Sequence, residues 1–327
     1  MTSGSIAALC WLVVLGSCDS EQPVSHAPEI DRLTIGYSAL RISLPIFVAQ
    51  ERRIFREHGL EVELRRYETA QPLVEEVLDG RVLAGGFAAL PIIFTAAARG
   101  DSEVRLGLAM IEDAEHPVSY LLRRSGDASL DSVAALRGRR VGILPTIAYQ
   151  RWLEAIVREA GVDPSEVVIV PVAPPHQTAT LEGGGVDALF TNDPVATATI
   201  AAGVGERVGP PAPVPSATHE PLVFGSFLVH PRLLAERPDL VRRLLAALDD
   251  AAALIESDQE GARRAMTSYV RASERPFVSR YPDARYLQSA HFGDAELAGA
   301  VRSMVELGVL DRGRDVTGWT LHAEAPR

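Results

Sequence analysis

The chain has 327 residues, 47% of them hydrophobic and 23% charged, with a formal net charge of −11 and a pI near 5.3. That size and composition suit two compact lobes, and the acidic balance argues against nucleic acid, whose binding needs a basic face. None of the 32 basic residues is lysine, which excludes Schiff-base chemistry on a lysine, whether with pyridoxal phosphate or a carbonyl substrate.

Ile6 to Leu15 is an apolar run of about ten residues, half of the ~20 needed to span a bilayer. It ends in Leu15-Gly16-Ser17-Cys18, which resembles a bacterial lipobox. Residues 1–18 are therefore expected to be a lipoprotein signal peptide, with Cys18 as the lipid attachment site. An ordinary secretory signal or a signal-anchor is the alternative, and no Arg precedes the apolar run. Asp19 after Cys18 resembles the signal that retains lipoproteins at the inner membrane. Residues 19–30 are polar with two prolines and read as a flexible tether. The two cysteines are Cys10 and Cys18, so the mature domain is expected to hold no disulfide and no thiolate metal site.

Leu33 to Tyr37 reads as a strand, followed by a polar loop, Ser38 to Ser43. Pro45 opens a helix, where its missing N–H costs nothing. Phe47, Val48, Ile54 and Phe55 share one helical face, and Gly59 ends the helix as a left-handed cap. Leu60, Val62 and Leu64 alternate with Glu61 and Glu63 as a second strand. Pro72 starts a second helix with Leu73, Val74, Val77 and Leu78 inward, Gly80 closes it, and Val82 to Phe87 is a third strand. This alternation predicts a mostly parallel sheet flanked by helices, an α/β class. Ligands of such sheets sit beyond the carboxyl ends of strands, near helix N-termini. The loops Tyr37–Pro45 and Phe87–Pro91 are the first candidates.

Val104 to Ile111 reads as a strand, Glu112 to Pro117 as a polar break, and Val118 to Arg123 as the strand leaving the first lobe. Val141-Gly142-Ile143 then repeats the opening plan. A helix follows over Ile147 to Ala160 with Ala148, Trp152, Ala155 and Ile156 inward. Val167–Val172 is a strand, His176–Glu182 a short helix, Val186–Phe190 a strand, and Asp193-Pro194 starts a helix to Ala202. Gly209 to Pro215 reads as a proline-rich surface loop, and Leu222 to Val229 as the strand leading back. The remainder reads as helical: Pro238 to Ile255, a segment with a Ser257/Glu260 capping box, and Asp294 to Leu307. The expected division is 31–118 with 222–327 as lobe 1 and 119–221 as lobe 2.

Ile46-Phe47-Val48-Ala49-Gln50-Glu51, Ile54-Phe55 and His58-Gly59-Leu60-Glu61-Val62-Glu63 resemble the opening of solute-binding proteins of ABC importers. The similar group is the sulfonate, nitrate, taurine and thiamine-precursor binding proteins. Leu136-Arg-Gly-Arg-Arg-Val-Gly142, Gly185-Val-Asp-Ala188 with Asp193-Pro194, and Arg237-Pro-Asp-Leu-Val241 extend the resemblance over most of Asp31 to Gly308. Arg53 stands where that family usually has Gly, and Leu83 where it usually has Asp. The resemblance implies a two-lobed periplasmic binding protein type II fold, the "Venus flytrap". It also implies a small-molecule ligand, ABC permease and ATPase partners, and a monomer in the periplasm, held to the inner membrane (or the outer face of the cell membrane) through its lipid.

Each candidate ligand residue carries two readings. Tyr37 can stack on a ligand or pack on its loop. Ser38 and Ser43 can offer hydroxyls to it or bond local backbone. Arg41 can meet an anion or stand in solvent. Phe87, Ala88 and Ala89 follow the third strand, where the family places a ligand-facing loop; their alternative is lobe packing. Thr146 reads as an N-cap, and Tyr149 lies one turn further in, able to stack on the ligand. Asn192 and Asp193 end a strand; Asp193 is an N-cap on helix grammar, and the matching family position faces the cleft. Phe224 is a cleft wall or hinge packing. The eight histidines are scattered without metal-ligand spacing, and no nucleotide-binding or esterase signature occurs, so neither metal nor cofactor is expected.

The function expected is capture of a solute between closing lobes for an importer. An enzyme resembling thiamine-pyrimidine synthases is the alternative, and it would need a reactive lysine that the chain lacks. A solute-sensing subunit is a third reading. Arg41 with helix N-termini suits a sulfonate-like anion. Tyr37, Tyr149, Phe87 and Asp193 suit a flat heteroaromatic with donor groups, which is favoured, because a poorly solvated carboxylate repels an anion strongly.

Overall fold

The computed structural model describes Met1 and residues 30–100 and 102–323. Cys10, Cys18 and the expected tether up to residue 29 lie outside the described residues. Strands and helices alternate from the start: β1 (Asp31–Ser38), α1 (Leu44–Glu51), α2 (Ile54–Glu57), β2 (Leu60–Tyr67), α3 (Ala70–Leu78), β3 (Ala84–Ala89), α4 (Leu90–Gly100) and β4 (Arg105–Glu112). The second half of the plan is β5 (Ser119–Arg124), β6 (Arg140–Ile143), α5 (Ile147–Glu159), β7 (Val168–Pro171), α6 (Pro174–Glu182), β8 (Ala188–Asn192), α7 (Val195–Ala201) and β9 (Gly205–Arg207). The chain then runs through α8 (Pro213–Thr218), β10 (Leu222–Val229), α9 (Pro231–Glu236), α10 (Pro238–Ser257), α11 (Gln259–Ala265), β11 (Arg285–Leu287) and α12 (Asp294–Glu306).

These strands form two sheets, one of six strands in the order β11-β4-β10-β3-β1-β2 and one of five in the order β7-β6-β8-β5-β9. Strands joined through helices pair in parallel: β1 with β2 and β3, β6 with β7 and β8. The strands that carry the chain between sheets run antiparallel to their neighbours, β10 against β3 and β4, β5 against β8 and β9. Each sheet is therefore mixed, parallel at its wound half and antiparallel where the chain passes from one sheet to the other. The two passages are residues 113–118 and 208–221. No helix among the described residues is long and apolar enough to cross a membrane.

The apolar periodicities do what they predict. Leu240, Val241, Leu244, Leu245 and Leu248 bury one stripe of α10, and Ala148, Trp152, Ala155 and Ile156 one stripe of α5. One buried apolar cluster runs across both sheets and their helices, joining Phe227 of β10 and Leu245 of α10 to Tyr149 and Trp152 of α5 and Phe190 of β8. Each fully buried side chain of that size contributes about 1.5–3 kcal/mol.

Four local expectations are corrected. The helix expected from Pro45 to Gly59 breaks at Arg53, whose φ of 62° puts it in the left-handed region between α1 and α2. Glycine adopts that region freely and a side chain does not. Arg53→Gly is thus expected to raise stability by about 0.5–1 kcal/mol, read as a higher urea midpoint at unchanged slope. The expected surface loop over 209–215 instead enters helix α8, whose Pro213 and Val214 are buried; the prolines sit at its first turn, where they favour a helix. The cap of α11 is Asp258, which accepts from the Gly261 amide at 2.8 Å, whereas the Ser257 hydroxyl donates back to the Leu254 carbonyl. Lastly, the region read as wholly helical contains β11, whose Arg285 pairs with Ile111 at the end of β4. Three residues are too few to show a period of two.

Candidate ligand site at the seam between the sheets

The carboxyl ends of β1, β3 and β4 and the start of β10 converge with the end of β8, the start of β5 and the N-terminus of α5. Glu112, the last residue of β4, is fully buried. Its Oε1 accepts from the Val118 amide at 3.2 Å, the Ser119 amide at 2.8 Å and the Ser119 hydroxyl at 2.7 Å. It thereby ties the end of the first sheet to the first strand of the second. Its Oε2 has no hydrogen-bond partner.

Arg41 lies in a 3-10 turn, Arg41–Ser43, after β1. Its guanidinium donates to the Pro117 carbonyl at 2.6 Å, the Pro282 carbonyl at 3.1 Å and the Asp283 carbonyl at 3.0 Å. Its Nε stands 3.7 Å from Asp193 Oδ2, with both side chains at most 3% exposed. Asp193 takes the Thr197 amide and hydroxyl on Oδ1, at 3.0 and 2.6 Å, and the Tyr120 hydroxyl on Oδ2 at 3.1 Å. One carboxylate thus holds the first turn of α7 and also receives a cation from the other sheet.

Aromatic rings close the seam. Tyr149 packs on Trp152 and Phe190, with ring centroids 5.2 and 5.0 Å away, and Trp152 meets Phe224 of β10 at 6.2 Å. Burial pushes the Tyr149 phenol well above its ordinary value, helped by the negative charges of Glu112 and Asp193; Asn192 faces the same hydroxyl. Tyr281 is likewise raised by burial, then by Asp193 and Glu274. The Tyr149 and Tyr281 hydroxyls, Trp152 Nε1 and Ser38 Oγ are all buried without a hydrogen-bond partner. Buried polar atoms are paired in the large majority of cases, so this concentration makes the seam the candidate ligand site.

The side chains singled out from sequence divide into two groups. Arg41, Tyr149, Asn192, Asp193 and Phe224 come together at the seam, and Ser38 ends β1 beside it. Arg41 is buried rather than solvated, because three chain segments supply it with acceptors. Tyr37 packs edge-on against Phe47 and Tyr269, with centroids 5.3 and 5.9 Å away. The expected loop after the third strand is strand and helix: Ala88 pairs with Ser226 and Ala89 with Gly225, and α4 begins at Leu90. Phe87 is core, wedged between Phe227 and Tyr286. Ser43 is buried, its hydroxyl 3.4 Å from the Gly86 carbonyl. Thr146 is exposed and caps α5, accepting from the Tyr149 amide at 3.3 Å.

Sequence reasoning missed Glu112, Tyr120, Tyr281 and the polar use of Trp152. For Glu112 there was a signal: a carboxylate set directly on the apolar run Leu106–Ile111. For Tyr281 there was none, since its segment is held at the seam by long-range contacts, the Arg41 bonds to the Pro282 and Asp283 carbonyls and the pairing of β11. Burial raises the Glu112 carboxyl above its ordinary 4.5, more than the Ser119 hydroxyl and amide, the Val118 amide and Arg41 lower it. The folded chain then keeps this proton to higher pH than the unfolded chain does. Stability from this group is therefore greatest below pH 4.5 and is lost as pH rises through the raised value, at up to about 1.4 kcal/mol per unit. Glu112→Gln is expected to flatten that decline, checked by urea unfolding of both proteins from pH 4.5 to 8.

Residues 26–270 match the model of the NMT1-like family. Among curated proteins, the nitrate import ATP-binding protein NrtC of Synechocystis is 23% identical over 178 residues, half of this chain. The chain spans about a quarter of the length of that relative, 26%. Among solved structures, the alkanesulfonate-binding protein SsuA from Xanthomonas axonopodis pv. citri, bound to MOPS, superposes with a TM-score of 0.64 at 18% identity, over 88% of this chain and 96% of that one. The desulfurization enzyme DSZB in complex with biphenyl-2-sulfinic acid superposes at 0.62 and 17% identity, over 90% of this chain and 97% of that one. The two mixed sheets flanked by helices are thus the two-lobed fold of type II periplasmic binding proteins, and the chain belongs to the NMT1-like family.

Proposed function

We propose that this chain is the extracytoplasmic solute-binding component of an ABC importer, capturing a small organic solute between two closing lobes. Residues 31–118 with 222–327 form one lobe and 119–221 the other. The observation that carries this reading is the set of buried, unpartnered polar atoms at the seam, Glu112 Oε2, Tyr149 OH, Trp152 Nε1 and Tyr281 OH. NrtC, an importer component, and SsuA, a solute-binding protein, agree with it by name. Asn192, Asp193 and Phe224 complete the contact set. Solute favours the closed form by its differential affinity for it, and the closed monomer is what a permease and its ATPase engage. Cys18 is the lipid anchor that keeps the protein in the periplasm at the membrane face.

A thermal-shift panel of sulfonates, nitrate, pyrimidines, amines and amino acids on the full chain tests the reading. A true solute at 100 times its Kd stabilises the fold by about 2.7 kcal/mol. If every class leaves the midpoint unmoved, capture between the lobes loses its support. Cys18→Ser is expected to move the protein out of the membrane fraction; retention there would remove the anchor.

A further inference from the structure

The charges at the seam are unequal, and that inequality selects a ligand. Two carboxylates, Glu112 and Asp193, are buried there against one buried cation, Arg41. The guanidinium of Arg41 is already committed to the Pro117, Pro282 and Asp283 carbonyls and to Asp193. Asp193 has a partner on each oxygen. Glu112 has all its donors on Oε1. The other charged groups nearby lie at the margins: Glu274 beside Tyr281, 3.8 Å from Arg271, and the exposed Arg207, 4.6 Å from the Tyr120 ring centroid. An arriving anion would meet a carboxylate oxygen and no cation with a free fork. An arriving cation would hold Glu112 in its ionised form, and so would meet a buried acceptor, Glu112 Oε2, together with the rings of Tyr149 and Trp152, whose faces attract positive charge.

Resting on the receptor reading above, we infer that the solute is a small organic cation, an amine or amidine, whose N–H group is taken by Glu112 Oε2 and whose own acceptor takes the Trp152 indole N–H. This differs in sign from the alkanesulfonate and nitrate for which the similar proteins SsuA and NrtC are named. It also gives Glu112 the role of specificity-determining residue. The free Oε2 supplies the acceptor, while the bonds to Oε1 hold it at the passage between the sheets.

A matched pair of probes tests this on the full chain: 4-amidinobenzamide, a cation, and 4-carbamoylbenzenesulfonate, an anion on the same frame. Calorimetric titration is expected to show the amidine binding at least tenfold more tightly than the sulfonate, with Glu112→Gln removing most of that preference and leaving the melting temperature as high or higher. Equal or tighter binding of the sulfonate overturns the inference and leaves the receptor reading standing. Amidine binding that survives Glu112→Gln unchanged overturns it as well. Binding of neither probe overturns it too, and the broader solute panel then decides separately whether the seam binds anything.

Discussion

Arg41→Ala is expected to destabilise the chain by about 3–5 kcal/mol and to let the lobes separate. The side chain is buried, and its loss strands Asp193 together with the carbonyls of Pro117, Pro282 and Asp283. Removing one partner of a buried pair costs far more than the pair contributes net, because the remaining charge stays desolvated. Arg41→Lys keeps the charge but cannot reach carbonyls on separate segments from one planar fork, so it should recover only part of the loss. Asp193→Asn should cost less than Arg41→Ala, since an amide oxygen can still accept from Thr197. Urea unfolding gives the energies, and small-angle scattering gives the shape. An Arg41→Ala protein within about 1 kcal/mol of the parent, with an unchanged radius of gyration, would show that Arg41 does not hold the seam shut.

How much of this was legible follows from the range of the signals. Periodicity and caps act within one or two turns, so α5, α10 and the winding of β1 to β3 could be read directly. Asp193 was legible as the residue that bonds the first turn of α7, because its partner Thr197 lies only four residues on. What could not be read was set by tertiary pairing. Tyr37 was placed near the end of its strand, whereas β3 runs two residues past Phe87 to Ala89; which face each side chain takes depends on neighbours far along the chain, Phe227 and Tyr286 for Phe87, Tyr269 for Tyr37. Arg41 read as a loop arginine because its acceptors lie 76 to 242 residues away. Glu112 read as loop polarity although it follows directly on the apolar run Leu106–Ile111, because the Val118 and Ser119 contacts that bury it are made only in the fold. Gly225 is explained only by register: a Cβ there would lie 2.4 Å from the Ala88 carbonyl oxygen, so β10 comes this close to β3 only without a side chain.

The indole of Trp152 offers the sharpest separation of folding from binding. Trp152→Ala should cost about 3–5 kcal/mol, because a fully buried ring is lost and the surroundings collapse only partly. Part of that loss falls on the seam, since Trp152 is the ring of α5 that touches Phe224 of the other sheet. Trp152→Phe is a different experiment. It keeps most of the ring contact with Tyr149 and removes an N–H that has no partner. Deleting an unpaired buried donor relieves its desolvation cost, which offsets much of the lost ring volume. The Phe variant is therefore expected within about 1 kcal/mol of the parent in urea unfolding, while binding of the cognate solute weakens by about 3- to 10-fold, the net worth of one hydrogen bond. A Phe variant as unstable as the Ala variant would mean that the indole is needed for the fold itself, and Trp152 would leave the ligand site.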